Sequence, residues 1–166
     1  MPKVGMEPIR RAALVKATIA EIGEAGTLDV TVSQIAKRAG MSSGLAHHYF
    51  GGKDQIFLAA MRHTLALYAA EARGALSMAR TPQDRIGAIV RTSFSPSHFQ
   101  RDVIAAWLNF YVLAQSSQQA GHLLGIYQRR LRSNLIFALR PLVGSRSVDV
   151  AEQLAGMIDG LYLRQS

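Results

Sequence analysis

Apolar residues recur along this chain at intervals of three and four and almost never alternate one by one, a pattern that predicts helices and no strands. Ile9, Ala12, Val15, Ile19 and Ile22 mark one face of a first helix from about Pro8 to Ala25, which Gly26 stops. Two short helices follow. Thr31 is a good N-cap, and Gln34 three residues on completes a capping box. Val32, Ile35, Ala36 and Ala39 then supply one apolar face. Ala36 is small where the next helix must approach, Gly40 can take the positive φ of a tight turn, and Met41 enters the core. Ser42 can cap the second short helix, whose inner side is Ala46 and Tyr49 and whose outward positions are Ser43, Gly44, His47 and His48.

A long helix is predicted from Lys53 to about Met78, with Ile56, Phe57, Ala60, Met61 and Leu65 packing beneath the first three. Thr81, Pro82 and Asp84 start another: a capping hydroxyl, proline at the first helical position, and an acid near the positive end of the dipole. Ser95-Pro96-Ser97 breaks it. Further helices run from about Arg101 to Ser116, from about Gln118 to Leu142 and, after a polar turn, from about Val148 onward. The fold class is therefore all-α. Residues 1–52 form an N-terminal head with a helix-turn-helix at 31–50, completed by the start of the long helix 53–78; residues 79–166 form a second helical domain.

A helix, a tight turn and a second helix make the unit that sets its second helix in the DNA major groove. The outward residues Ser42, Ser43, Gly44, His47 and His48 are then the candidate contacts. Ser43 is tolerant of base identity and Gly44 lets the backbone approach closely. Thr31 and Lys53 are placed for phosphates, and Lys37 beside Arg38 adds salt-sensitive attraction. Tyr49 can serve the groove edge or the core, and the core is the stronger of the two readings. His47 and His48 are adjacent and point a helical step apart, so they do not make one metal site.

Composition changes this picture little. The chain of 166 residues is 49% apolar and carries a formal charge of +8, which favours an anionic partner such as DNA. The excess charge is spread over both halves. Cysteine is absent, which excludes disulfides, thiolate catalysis and cysteine metal sites. No apolar run approaches membrane-spanning length and no signal region opens the chain, so a cytoplasmic protein is expected, with no membrane partner. No Ser/His/Asp arrangement, HExxH or complete P-loop is present, and neither catalysis nor a cofactor is expected.

The segment 31–50, continued by Gly51-Gly52-Lys53-Asp54-Gln55-Ile56-Phe57, resembles the TetR family of one-component regulators. The ending His47-His48-Tyr49-Phe50 departs from the usual form, the aromatic and the histidine having traded places. Within that family the chain is similar to choline-sensing repressors of glycine betaine synthesis. The likeness rests on Met1-Pro2-Lys3-Val4-Gly5-Met6, Ile9-Arg10-Arg11, Ala106-Trp107-Leu108 with Phe110, and Arg129-Arg130-Leu131 with Ser133-Asn134-Leu135. Asp159-Gly160-Leu161-Tyr162-Leu163-Arg164 completes it.

The resemblance implies a homodimeric repressor binding double-stranded operator DNA as an imperfect palindrome, with residues 79–166 as its ligand-binding and dimerisation domain. It further implies release by choline or a similar quaternary ammonium. Such a head donates no hydrogen bond and is held between aromatic faces by cation–π attraction, supplemented by a carboxylate. Trp107, Phe110, Tyr111 and Tyr127 are the aromatic candidates and Asp159 the acid; aromatic stripes at this spacing also serve as plain core. The chain ends within what looks like the penultimate helix of the family plan, so the last helix of the dimer interface is expected to be missing and Leu154, Ile158, Leu161 and Leu163 to want a partner. Two other readings stay open: a sensor of another lipophilic cation, and an auxiliary module that does not repress.

Overall fold

The computed structural model describes residues 5–166; the Met1–Val4 part of the opening motif lies outside them. Eight α-helices follow one another: α1 (Met6–Ala25), α2 (Val32–Arg38), α3 (Ser43–Phe50), α4 (Lys53–Met78), α5 (Pro82–Ser93), α6 (Arg101–Ser116), α7 (Gln118–Val143) and α8 (Ser147–Gln165). A single 3₁₀ turn, Gly144–Arg146, joins the last two. The described residues contain no strand.

Local chemistry sets the boundaries. Thr31 and Gln34 form the capping box of α2, and Thr81 and Asp84 form that of α5 with Pro82 at its first turn. The Ser42 side chain accepts the Leu45 N–H at the head of α3. Between α2 and α3, Gly40 has φ +69°, a left-handed conformation that a side chain would strain.

One continuous core joins the head to the rest. Leu14, Ile22, Ile35, Ala36, Ala46, Ile56, Phe57 and Met61 pack in the same cluster as Ile104, Trp107, Phe110, Leu124 and Tyr162. A second cluster of Ile89, Leu131, Leu135, Leu139 and Ala151 holds α5, α7 and α8 together. Helix α1 lies along both α4 and α6. Gly23 permits this approach: a Cβ there would come within 2.6 Å of the Cα and Cβ of Asp102, at the start of α6.

Two expectations are corrected. Ile9 is 62% exposed and Ala12 is exposed; the buried face of α1 is Leu14, Val15, Ala17, Thr18 and Ile22, because in its first two turns only the side of Arg10 and Arg11 meets another helix. On α8, Ile158 is buried and Leu154 packs on the second cluster, so neither awaits a partner. The exposed apolar residues of that helix are Val148, Met157, Leu161 and Leu163.

Candidate DNA interface and ligand cavity

The head presents α3 as a short, firmly seated helix. Ala46 is wholly buried beneath it, while His47, His48, Gly44 and Ser42 are exposed. Ser43 is half-buried, its hydroxyl 2.9 Å from that of Ser33 on α2. Thr31 and Lys37 are exposed on the same short unit. Lys53 opens α4 half-buried, its ammonium 5.4 Å from the centre of the Phe57 ring. Tyr49 is half-buried against the core beside the ring of His48.

Arginines of α1 hold the far end of α3, a role the sequence reading missed. Arg11 donates to the Tyr49 carbonyl at 2.6 Å and lies 4.5 Å over the Phe50 ring; Arg10 reaches the Tyr49 hydroxyl at 3.4 Å. Arg38 is engaged with Glu21 at 2.5 Å and with Glu24, which ties α2 to α1; Lys37 forms no ion pair among the described residues. The resulting surface carries short polar side chains, imidazoles and ammonium groups, with backbone accessible at Gly44. It can approach a groove and its flanking phosphates.

Away from the head, α4, α6, α7, α8 and the loop between α5 and α6 border a narrow cavity of about 20 Å³, partly open to solvent. Its walls are Thr64, Leu65, Tyr68, His98, Val103, Trp107, Tyr127 and Tyr162. The rings meet edge to face: Trp107 with Tyr127 at 5.1 Å, Tyr127 with Tyr68 at 5.3 Å, and Tyr68 with His98 at 5.6 Å. Trp107 also stands edge-on to Tyr111 at 5.5 Å, and the Tyr111 hydroxyl donates to Asp159 Oδ1 at 3.2 Å.

Burial raises the Asp159 carboxyl above its ordinary range, only partly offset by the Tyr111 hydroxyl. Burial likewise pushes the Tyr127 phenol far up, and the negative field of Asp159 adds to this. The rings therefore stay neutral, with one acid held close to them. Neutral aromatic faces and a carboxylate are what an organic cation needs.

Of the sequence candidates, Trp107 and Tyr127 line the cavity, while Tyr111 and Asp159, bonded to each other, are not on its wall. Phe110 does not belong with them: it is 0% exposed and is part of the core. Tyr68, Thr64 and His98 were missed. Tyr68 stands four residues after Thr64 on α4, a spacing the sequence did contain; His98 lay in a segment legible only as a helix break.

Comparison with known proteins adds two family matches. Residues 82–166 fit the family model described as "BetI-type transcriptional repressor, C-terminal", and residues 14–60 fit "Bacterial regulatory proteins, tetR family". The chain is 53% identical to the HTH-type transcriptional regulator BetI of Brucella anthropi, over 100% of this chain and 86% of that one. It is 51% identical to BetI of Rhizobium meliloti, over 100% and 82%.

A solved transcriptional regulator from Pseudomonas aeruginosa PAO1 superposes with a TM-score of 0.81 at 27% identity, over 95% of this chain and 79% of that one. One from Saccharomonospora viridis, solved in complex with choline, gives 0.82 at 20% identity, over 93% and 83%, a likeness of fold alone. Among the described residues no helix is long and apolar enough to cross a membrane.

Proposed function

This chain belongs to the TetR family of bacterial regulatory proteins, in its BetI-type branch, and from that premise we propose that choline or a close quaternary ammonium releases it from DNA. Membership makes it a DNA-binding transcriptional regulator and not an enzyme. The genes under its control are those for choline uptake and for conversion of choline to glycine betaine. Residues 1–52 with the start of α4 bind the operator; residues 79–166, together with Tyr68 of α4, hold the effector, and they also hold a second copy of the chain.

The observation that carries the effector is the row of Tyr68, Tyr127 and Trp107 rings with Asp159 close by. A quaternary ammonium gains from π faces and from a carboxylate and asks for no hydrogen bond. The walls of this cavity carry no arginine or lysine, which favours a cation over an anion there.

The mechanism rests on two sites and the helices between them. Helix α4 runs from Lys53 in the head to Tyr68 in the cavity wall. Helix α6 runs from Asp102, pressed against Gly23 of α1, to Trp107 and Tyr111. An effector that enters between the cavity walls moves them apart and shifts both helices against the head. DNA and effector then favour different separations of two paired heads, and the difference in affinity sets the size of the switch.

The test is fluorescence anisotropy with a duplex from upstream of the protein's own gene. Tight, sequence-specific binding is expected, weakened by about tenfold or more in saturating choline. Specific binding that choline leaves unchanged rejects choline as effector, and a panel of other quaternary ammonium ions then identifies the cation. Binding equal on any duplex rejects the repressor.

A further inference from the structure

A second and much larger cavity, of about 650 Å³, lies between α4 and α7 and is open along one side. Leu65, Tyr68 and Tyr127 border both it and the small one, and its volume is of the order that holds a whole organic ligand. Its shape follows from the sequence of α4. Ala66, Ala69 and Ala72 recur every third residue along the groove, so no bulky side chain of that helix fills the space toward α7. Leu76, Ile89, Ile126 and Leu131 complete the apolar walls.

The groove also carries charge of one sign. Arg62 and Arg73 of α4 and Arg130 of α7 line it, all three exposed, and no aspartate or glutamate does. The ion pairs among the described residues engage other side chains, so these guanidiniums have no carboxylate partner there. The two helices run side by side in one direction. Arg62 and Leu123 border one end, the Tyr68 and Tyr127 rings meet at 5.3 Å midway, and Leu76 packs on the cluster of Ile89 and Leu131 at the other. At about 1.5 Å of rise per residue, Arg73 and Arg130 lie about 8 and about 5 Å beyond the ring contact, one on each helix; Arg62 lies about 9 Å the other way.

We propose that this groove binds an anionic amphiphile, an aliphatic carboxylate, with its head between Arg73 and Arg130 and its chain against the alanine face of α4. Guanidinium groups hold a carboxylate through paired, charge-assisted hydrogen bonds, and Ser133 and Asn134 at the same end add further donors. The apolar walls give nothing to a bare anion and reward a chain, which sets the class as an amphiphile. The site takes a charge opposite to that of the quaternary ammonium effector and does not depend on that reading.

Calorimetric titration of the full chain with octanoate and with 1-octanol, an equal chain without the charge, tests the assignment. Octanoate is expected to bind about tenfold or more tightly than the alcohol, and affinity should rise about fourfold for each CH₂ added from hexanoate to decanoate. Arg73→Gln combined with Arg130→Gln should cancel the preference for the anion and keep the affinity for the alcohol. Ala69→Phe, which sets a ring in the groove, should weaken both. Operator binding by each variant verifies that it is folded, and a choline titration of the same samples reports the cation site separately. Equal binding of the two chains by wild type, a preference that survives the paired substitution, or octanoate binding untouched by Ala69→Phe overturns the assignment. Absence of octanoate binding overturns it outright, and a dimer that Ala66→Glu then splits into monomers gives the groove to a second copy of the chain.

Discussion

Asp159 is a half-buried acid whose folded pKa is raised, and the direction of that shift has two opposite consequences. Burial favours the neutral carboxyl, so the charged form at neutral pH costs the empty protein stability; an arriving cation favours the charged form. Asp159→Asn should therefore raise the melting temperature of the ligand-free protein at neutral pH while weakening choline binding about tenfold, measurable by scanning and titration calorimetry. In wild type, choline affinity should fall on acidification as the raised pKa is crossed, beginning above the ordinary aspartate value near about 4, and Asp159→Asn should lack this limb. A variant less stable than wild type would place Asp159 in a structural network instead. The acid was legible in the sequence because it interrupts an apolar helix. Phe110 and Trp107 were not separable: three positions apart on one helix, their directions differ by about 60°, enough to put one in the core and the other on the cavity wall. His98 has no period at all, since its place depends on Glu71, 27 positions earlier on another helix.

Helix ends were read closely because caps are local chemistry. Thr31 with Gln34 and Thr81 with Asp84 carry their own boundary signals within four residues. Packing between helices is not local. The sequence offered no partner for Gly23, although a glycine inside a helix costs about 1 kcal/mol against alanine and so hints at a close approach. The partner is the start of α6, one turn before Trp107. Gly23→Ala should push α1 from α6, because the added methyl meets backbone atoms that cannot turn aside. Overpacking of this kind costs about 1–3 kcal/mol. The stability loss should appear in a thermal melt, and the choline-induced drop in operator affinity should shrink beyond what unfolding explains. A melt lowered with the choline response intact would make the Gly23 contact purely structural and route the signal through α4 alone.

At the scale of the whole molecule, one recognition helix reads only half of a palindromic operator, so specific repression requires two heads held at a fixed spacing. The surface that could hold them lies on α8, where Met157, Leu161 and Leu163 are 63%, 47% and 62% exposed while Ile158 on the same helix is buried in the core. Met157 and Leu161 are one turn apart and share a face, which a second copy of the same helix can cover by two-fold symmetry. Sedimentation velocity should find a dimer at micromolar concentration. Leu161→Glu sets a charge at that face and should yield monomers with an unchanged melting profile of the individual chain. Operator affinity should then fall by about a hundredfold or more, since each head binds alone, while choline affinity, which depends on α4, α6, α7 and the inner side of α8, should hold. If wild type sediments as a monomer and Leu161→Glu leaves operator affinity untouched, the exposed face of α8 does not pair the heads, and the repressor must recruit its second recognition helix through another surface.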